Sequence, residues 1–289
     1  MLPIRPLIAG AALAAAVTVP VALPAQAAQL ARVPTLIGVR AAHQPGFDRL
    51  VFEFRGGLPR WTQTSYVDRV VDQATGRTVG LVGDALLRVR FEAADAGAGT
   101  ARTTYPLPGL IQVAGATPYN STLTYGVGLA RRTPYRVHKL TRPSRVVVDI
   151  TTPYRTVPVR DHFLNTANYN AGRLPYTTAV QRPAVPPATA YGALQRLFAG
   201  PTPAEKAQGL RFVSSKATGF SRLTVQKGIA RVYLTGPVTG AGSTFTIADE
   251  IMPTLKQFPS VTWVKIYDAG GHTQYPYGPS DSVPNSLEP

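Results

Sequence analysis

The sequence predicts two domains, an N-terminal all-β sandwich and a C-terminal mixed α/β (α+β) module. Three observations carry this. The chain has 289 residues, more than one ordinary small domain needs. Period-two alternation of apolar residues dominates the first half, with no window of helical spacing. After Pro153 strands begin to alternate with two apolar faces at helical spacing.

The first segment reads as an address. Arg5 precedes an apolar run over 7–19, Pro20 and Pro24 break it, and Ala25-Gln26-Ala27 supplies a small-x-small cleavage pattern. Residues 1–27 are therefore expected to be a secretory signal peptide. The run falls short of the roughly 20 residues a membrane helix needs, so no membrane anchor is expected after cleavage.

The sandwich is expected over 36–152. Leu50, Phe52 and Phe54 alternate with Val51, Glu53 and Arg55, and Leu87, Val89 and Phe91 alternate with Arg88, Arg90 and Glu92. Leu123, Tyr125, Val127 and Leu129 share one face of a strand, as do Val146, Val148 and Ile150. The stretch from Asp72 to Arg77 is a turn with Gly76 where a positive φ is needed, and Gly83-Asp84 is a second turn signal.

The second module is expected over 158–272. Segments 157–164 and 177–181 read as strands. Pro186-Pro187 opens a helix whose apolar face is Ala190, Leu194, Leu197 and Phe198, and Gly200 stops it. Thr202-Pro203-Ala204-Glu205 is a capping box with Pro at the first helical position. Lys227-Gly228 joins two strands of a hairpin, and Val261 to Tyr267 reads as the closing strand. Ile247, Ile251, Leu255 and Phe258 mark a second helix, in which Pro253 predicts a kink or break. The tail, 276–289, is Pro/Ser-rich and expected to be disordered.

Two resemblances follow from these residues. The stretch from Gly46 to Phe54, Tyr66-Val67-Asp68, the run from Gly83 to Leu87, and Ser144-Arg145-Val146-Val147-Val148-Asp149 resemble the AMIN-like domain of actinobacterial exported proteins. That resemblance implies a β-sandwich of the kind that targets cell-wall enzymes to peptidoglycan. The stretch from Ala193 to Thr202, with Glu205 and Gly209-Leu210, resembles the GerMN domain of sporulation and germination proteins, as does the stretch from Thr254 to Val261. Most of these residues have structural jobs, so this resemblance identifies a fold and supplies no chemistry.

No catalytic signature is present. His43, His138, His162 and His272 stand at no metal-ligand spacing, and with no cysteine there is neither a thiolate nucleophile nor a Cys zinc site. There is no nucleophile-elbow motif. Gly126-Val127-Gly128 lies within a strand pattern, so it is a close-packing feature and not a dinucleotide loop. Asp249-Glu250 is the only adjacent acid pair, and helical neighbours point about 100° apart, too far to share one substrate. No catalytic residue, metal or cofactor is expected; a hydrolase built from scattered carboxylates is the least favoured alternative.

The chain carries 30 Lys+Arg against 15 Asp+Glu. Its densest positive stretch is Arg131, Arg132, Arg136, Lys139, Arg142 and Arg145, with no acid between Asp95 and Asp149. Alternation puts Arg136 and His138 on one side of a strand and Lys139 on the other. This is either a charged edge strand guarded against aggregation or a polyanion-binding surface, since Arg forks suit carboxylate and phosphate. Export disfavours nucleic acid and leaves peptidoglycan or an anionic wall polymer as the partner. Trp61, Tyr66, Tyr105, Tyr119 and Tyr125 could stack on sugar rings, most of them being expected as core or strand-pair residues, and Trp61 and Tyr66 are the candidates taken forward. The expectation is a non-enzymatic, secreted, wall-associated binding protein; the alternative is an adaptor for another envelope protein.

Overall fold

The computed structural model describes residues 33–97 and 101–289. The expected signal peptide lies outside them. Among the described residues no helix is long and apolar enough to cross a membrane.

Among the described residues the first domain has ten strands: β1 (Thr35–Gln44), β2 (Phe47–Arg55), β3 (Trp61–Val67), β4 (Ala85–Glu92), β5 (Asp95–Ala96), β6 (Thr103–Thr104), β7 (Leu110–Gly115), β8 (Thr122–Leu129), β9 (Tyr135–Thr141) and β10 (Ser144–Thr151). They form two five-stranded sheets, ordered β5-β1-β2-β10-β9 and β3-β4-β8-β7-β6. The alternating residues of β2, β4, β8 and β10 meet between the sheets in one buried cluster. Its centre is aromatic. Phe52 meets Phe91 edge-on at 4.9 Å and Tyr125 at 5.2 Å between ring centroids. Such pairs add roughly 0.5–1.5 kcal/mol beyond the area they bury.

The glycines of β8 serve packing. A Cβ on Gly126 would stand 2.2 Å from Leu81 Cδ1, and one on Gly128 would stand 2.0 Å from the Val82 carbonyl oxygen. Only bare backbone lets the chain around Val82 lie against the outside of this strand. Asp72 orders the turn before it, accepting from the backbone N–H groups of Ala74, Thr75 and Thr117. The Thr117 contacts chiefly hold its carboxyl down, to about 2.

The second domain contains β11 (Val157–Asn165), α1 (Thr166–Asn170), β12 (Thr177–Ala184), α2 (Thr189–Ala199), α3 (Pro203–Ala207), β13 (Leu210–Arg211), β14 (Gly219–Gln226), β15 (Ile229–Thr235), α4 (Ile247–Lys256) and β16 (Trp263–Tyr267). Its sheets run β12-β11-β13 and β14-β15-β16. Leu194 and Leu197 of α2 and Ile251 and Leu255 of α4 pack with Phe163, Val232 and Ile266 in a single core. The capping box at α3 is complete: Thr202 Oγ1 accepts from Glu205 N, and the Glu205 carboxylate accepts from Thr202 N.

Two expectations are corrected. Helix α4 continues through Pro253, so of the expected kink or break the break does not occur. Proline removes one donor, but the helix is held by tertiary burial of Ile247, Ile251 and Leu255, all fully enclosed. The tail is also ordered. Ile266 N donates to the Ser282 carbonyl and Ser282 N to that of Val264, adding the tail to the open edge of β16. A short 3-10 helix, Asn285–Leu287, then buries Leu287 in the domain core. Composition registers the prolines and serines but not the unpaired sheet edge that receives them.

Candidate functional site

Two regions hold the arginines that matter: the seam between the domains and the outer face of the first sheet.

In the seam, helix α2 is buried on more than its apolar face. Gln195 Nε2 donates to Asp84 Oδ1 at 2.6 Å. Arg196 is enclosed; its Nη1 donates to the carbonyl of Tyr105 at 3.2 Å and its Nη2 to those of Leu107 at 2.7 Å and Pro108 at 3.1 Å. A longer contact reaches the Leu110 carbonyl at 3.5 Å. Asp48 shapes this socket from behind. Its Oδ2 accepts from Gly109 N at 2.6 Å and Leu110 N at 2.8 Å, and its other oxygen meets His43 Nδ1 at 2.7 Å. Burial lowers the Arg196 guanidinium to about 10, so it stays charged at neutral pH. The end of the helix is capped from the other domain as well: the Ala199 carbonyl accepts from Thr104 Oγ1 at 2.5 Å and Gln112 Nε2 at 3.1 Å. Helix C-terminal carbonyls lack intrahelical donors, and here the first domain supplies them. Ile111, Ala130, Val185 and Ala199 close the seam with an apolar cluster.

Beneath Arg196 lies more enclosed charge. Arg182 pairs bidentately with Glu205 at 2.8 and 2.6 Å. Asp161 is fully buried with neither oxygen hydrogen-bonded, and burial pushes its carboxyl well up, against the pull of Arg182 and Arg196. Glu250 is also enclosed and accepts from Leu164 N and Val213 N; burial raises it to about 9. Its neighbour Asp249 caps α4 through Thr246 N. The adjacent acid pair thus splits into a helix cap and a neutral internal strut.

The second region is the outer face of β1, β2, β10 and β9. Strand register brings Arg40, Arg49, Arg145 and Arg136 to one side, together with Glu53 and Asp149. Both carboxylates are engaged. Arg49 grips Asp149 bidentately at 2.7 and 2.8 Å. Glu53 accepts from Arg40 at 2.5 Å and from Arg145 at 3.3 Å, and the Arg40 contact chiefly holds its carboxyl below the usual range. Arg136 stands opposite Asp149 on the edge strand, exposed.

The six basic residues singled out in the sequence therefore do not make one patch. Arg136 and Arg145 share the outer face. Exposed Arg142 sits in the β9–β10 turn, and exposed Lys139 lies on the opposite side of β9. Arg131 belongs to the seam: it donates to the Pro186 carbonyl at 3.0 Å and lies over Tyr154. Arg132 covers the ring of Tyr66 at 4.6 Å. Tyr66 is thereby corrected as a sugar-stacking candidate, because its second neighbour is Tyr135, edge-on, and its hydroxyl bonds the Thr133 backbone. Trp61 remains open, 63% exposed at the start of edge strand β3. Arg40 and Arg49 were missed because they join the face through strand pairing, across up to 100 residues of sequence. Among the described residues no three metal-ligating side chains converge.

Comparison with known proteins agrees with this division. Residues 34–152 match the family model of the AMIN-like domain. Residues 163–274 match the Germane model, described as sporulation and spore germination. No curated protein and no solved structure matches the chain. Neither family is a known catalytic one, and AMIN-like domains are typically extracytoplasmic. The first domain thus matches the AMIN-like model and the second, across a buried seam, the Germane (GerMN) model, in that order.

Proposed function

We propose that this chain is a non-enzymatic protein of the cell envelope that binds peptidoglycan or an associated anionic wall polymer through the outer face of its AMIN-like sheet. The observation that carries the reading is the charge arrangement there. Five arginines, Arg55 among them, face outward against three carboxylates, and two of these, Glu53 and Asp149, are already held by arginine. A polyanion meets net positive charge there, because Asp95 at the far edge is the one carboxylate of this face not held by arginine, and planar guanidinium forks match carboxylates and phosphates. The Germane domain acts as a scaffold, fixed by the seam to the other sheet of the sandwich and so leaving that face uncovered.

Co-sedimentation of the protein with purified sacculi across a salt series tests this. Retention at low salt that declines steadily as salt rises is expected. Replacing Arg136 and Arg55, both exposed on this face, by Ser should lower retention at low salt. No retention at low salt, or a curve unchanged in the double variant, would remove this face from consideration.

A second reading, an adaptor for another envelope protein, draws on the same edge. Among the described residues strand β9 has no neighbour on its far side, and Val137 and Leu140 are exposed along it. A protein partner retained on the chain after salt has stripped wall polymer away would favour this reading.

A further inference from the structure

The outer face of sheet β14-β15-β16 points away from the domain core and carries a different chemistry. Core-facing residues here are Ala230, Val232, Leu234, Val264 and Ile266. Alternation leaves Arg231, Tyr233, Lys265 and Tyr267 on the other side. Tyr233 and Tyr267 stack at 4.5 Å with 10° between their planes. Arg222 lies over Tyr233 at 4.0 Å, completing a three-tier pile of cation and rings.

The tail crosses this face. The Lys265 ammonium, fully enclosed, donates to the carbonyls of Tyr275 and Tyr277 and to Ser280 Oγ. A buried ammonium without three acceptors is costly, so the loop and the lysine fix each other. The loop Tyr275-Pro276-Tyr277-Gly278-Pro279 is further restrained by its two prolines. Yet its largest side chains point outward: Tyr275 is 62% and Tyr277 89% exposed. A loop with a restrained backbone presenting two bare tyrosines is preorganised for contact, because little backbone freedom remains to be lost on binding and a tyrosine has only two side-chain torsions to fix.

We propose that this loop binds a glycan strand, with Tyr275 and Tyr277 stacking on sugar rings and the partly exposed Arg231 of the sheet supplying hydrogen bonds at the rim. The size of the surface favours a glycan over a protein. A stable protein interface needs about 800 Å² on each side with an apolar centre, and two separate rings do not provide one. A pyranose has a ring-sized apolar face edged with hydroxyls, which suits one aromatic ring with donors beside it. The nearby Asp281 is occupied by Lys256 and the Val264 N–H, so it adds no free negative charge.

The test uses the full chain and a neutral N-acetylglucosamine tetramer. Being uncharged, this probe offers the cationic face of the first domain no anion, and the tyrosine variants separate the loop from Trp61, so its outcome is distinct from that of the salt series. Saturation-transfer NMR should show transfer to the sugar ring protons, and calorimetric titration should give a measurable affinity. Tyr275→Ala with Tyr277→Ala should lower that affinity at least about tenfold, while the double Phe variant stays within about threefold. Both tyrosines are exposed, so neither variant endangers the fold. No transfer at millimolar sugar, or equal affinity in the double Ala variant, overturns the proposal.

Discussion

Arg196 in the seam and Arg136 on the outer strand carry the same guanidinium in opposite circumstances. Arg196 is enclosed and donates to main-chain carbonyls of the neighbouring domain. Arg136 faces water across from a carboxylate that Arg49 already holds. The acids divide the same way. Glu250 is kept neutral inside the second domain, whereas Glu53 is held ionised on the first domain's surface. A formal charge of +15 is therefore not one resource. Part of it joins the domains, part neutralises surface carboxylates, and only the remainder can face a polymer.

The largest effect is expected where charge is buried. Arg196→Ala strands several carbonyls and opens the seam, so it should destabilise the protein by about 3 kcal/mol or more. Urea unfolding followed by tyrosine fluorescence should then resolve two transitions, one for each domain. A single transition at the wild-type midpoint would show that the seam contributes nothing to cooperativity.

An intermediate effect is expected from pH. Glu250 is raised from 4.5 to about 9, so the folded protein holds a proton that the unfolded chain releases in this window. Its contribution is fully present below the ordinary carboxylate value and is lost as pH rises through the folded value. Asp161 is shifted in the same direction. Urea midpoints measured from pH 5 to pH 9 should fall with pH, and Glu250→Gln should flatten that slope. Identical slopes in the two proteins would mean that Glu250 does not titrate as an enclosed acid.

The smallest effect belongs to the outer face. Arg136→Ser should change stability by less than about 0.5 kcal/mol, because an exposed side chain without an ion pair holds nothing together. A loss above 1 kcal/mol in the same urea assay would erase the contrast with Arg196.

The pattern residues made much of the fold readable. Leu50, Phe52 and Phe54 alternate because one side of β2 meets the sandwich core, and Thr202 to Glu205 announce a helix start through local hydrogen bonding alone. Strand β7 shows no alternation because it is covered on both sides, by the sandwich core through Leu110 and Val113 and by the seam through Ile111 and Gln112. Gln195 and Arg196 read as the polar side of a helix, and only the presence of the other domain makes that side internal. The candidate surface was half legible. Arg136 and Arg145 are close in sequence, whereas Arg40 and Arg49 join them through pairing that no local window reports. Lys265, one basic residue in a strand, gave no sign that it anchors a loop.

The socket for Arg196 has a temporal consequence. Asp48 and the carbonyl groups of Tyr105, Leu107, Pro108 and Leu110 all precede Arg196, by at least 86 positions. A chain made from its N-terminus completes the receiving loop before the side chain that enters it exists. Domains generally fold as units, the N-terminal one first during synthesis. The AMIN-like domain is then a finished mould, and helix α2 of the Germane domain is cast against it.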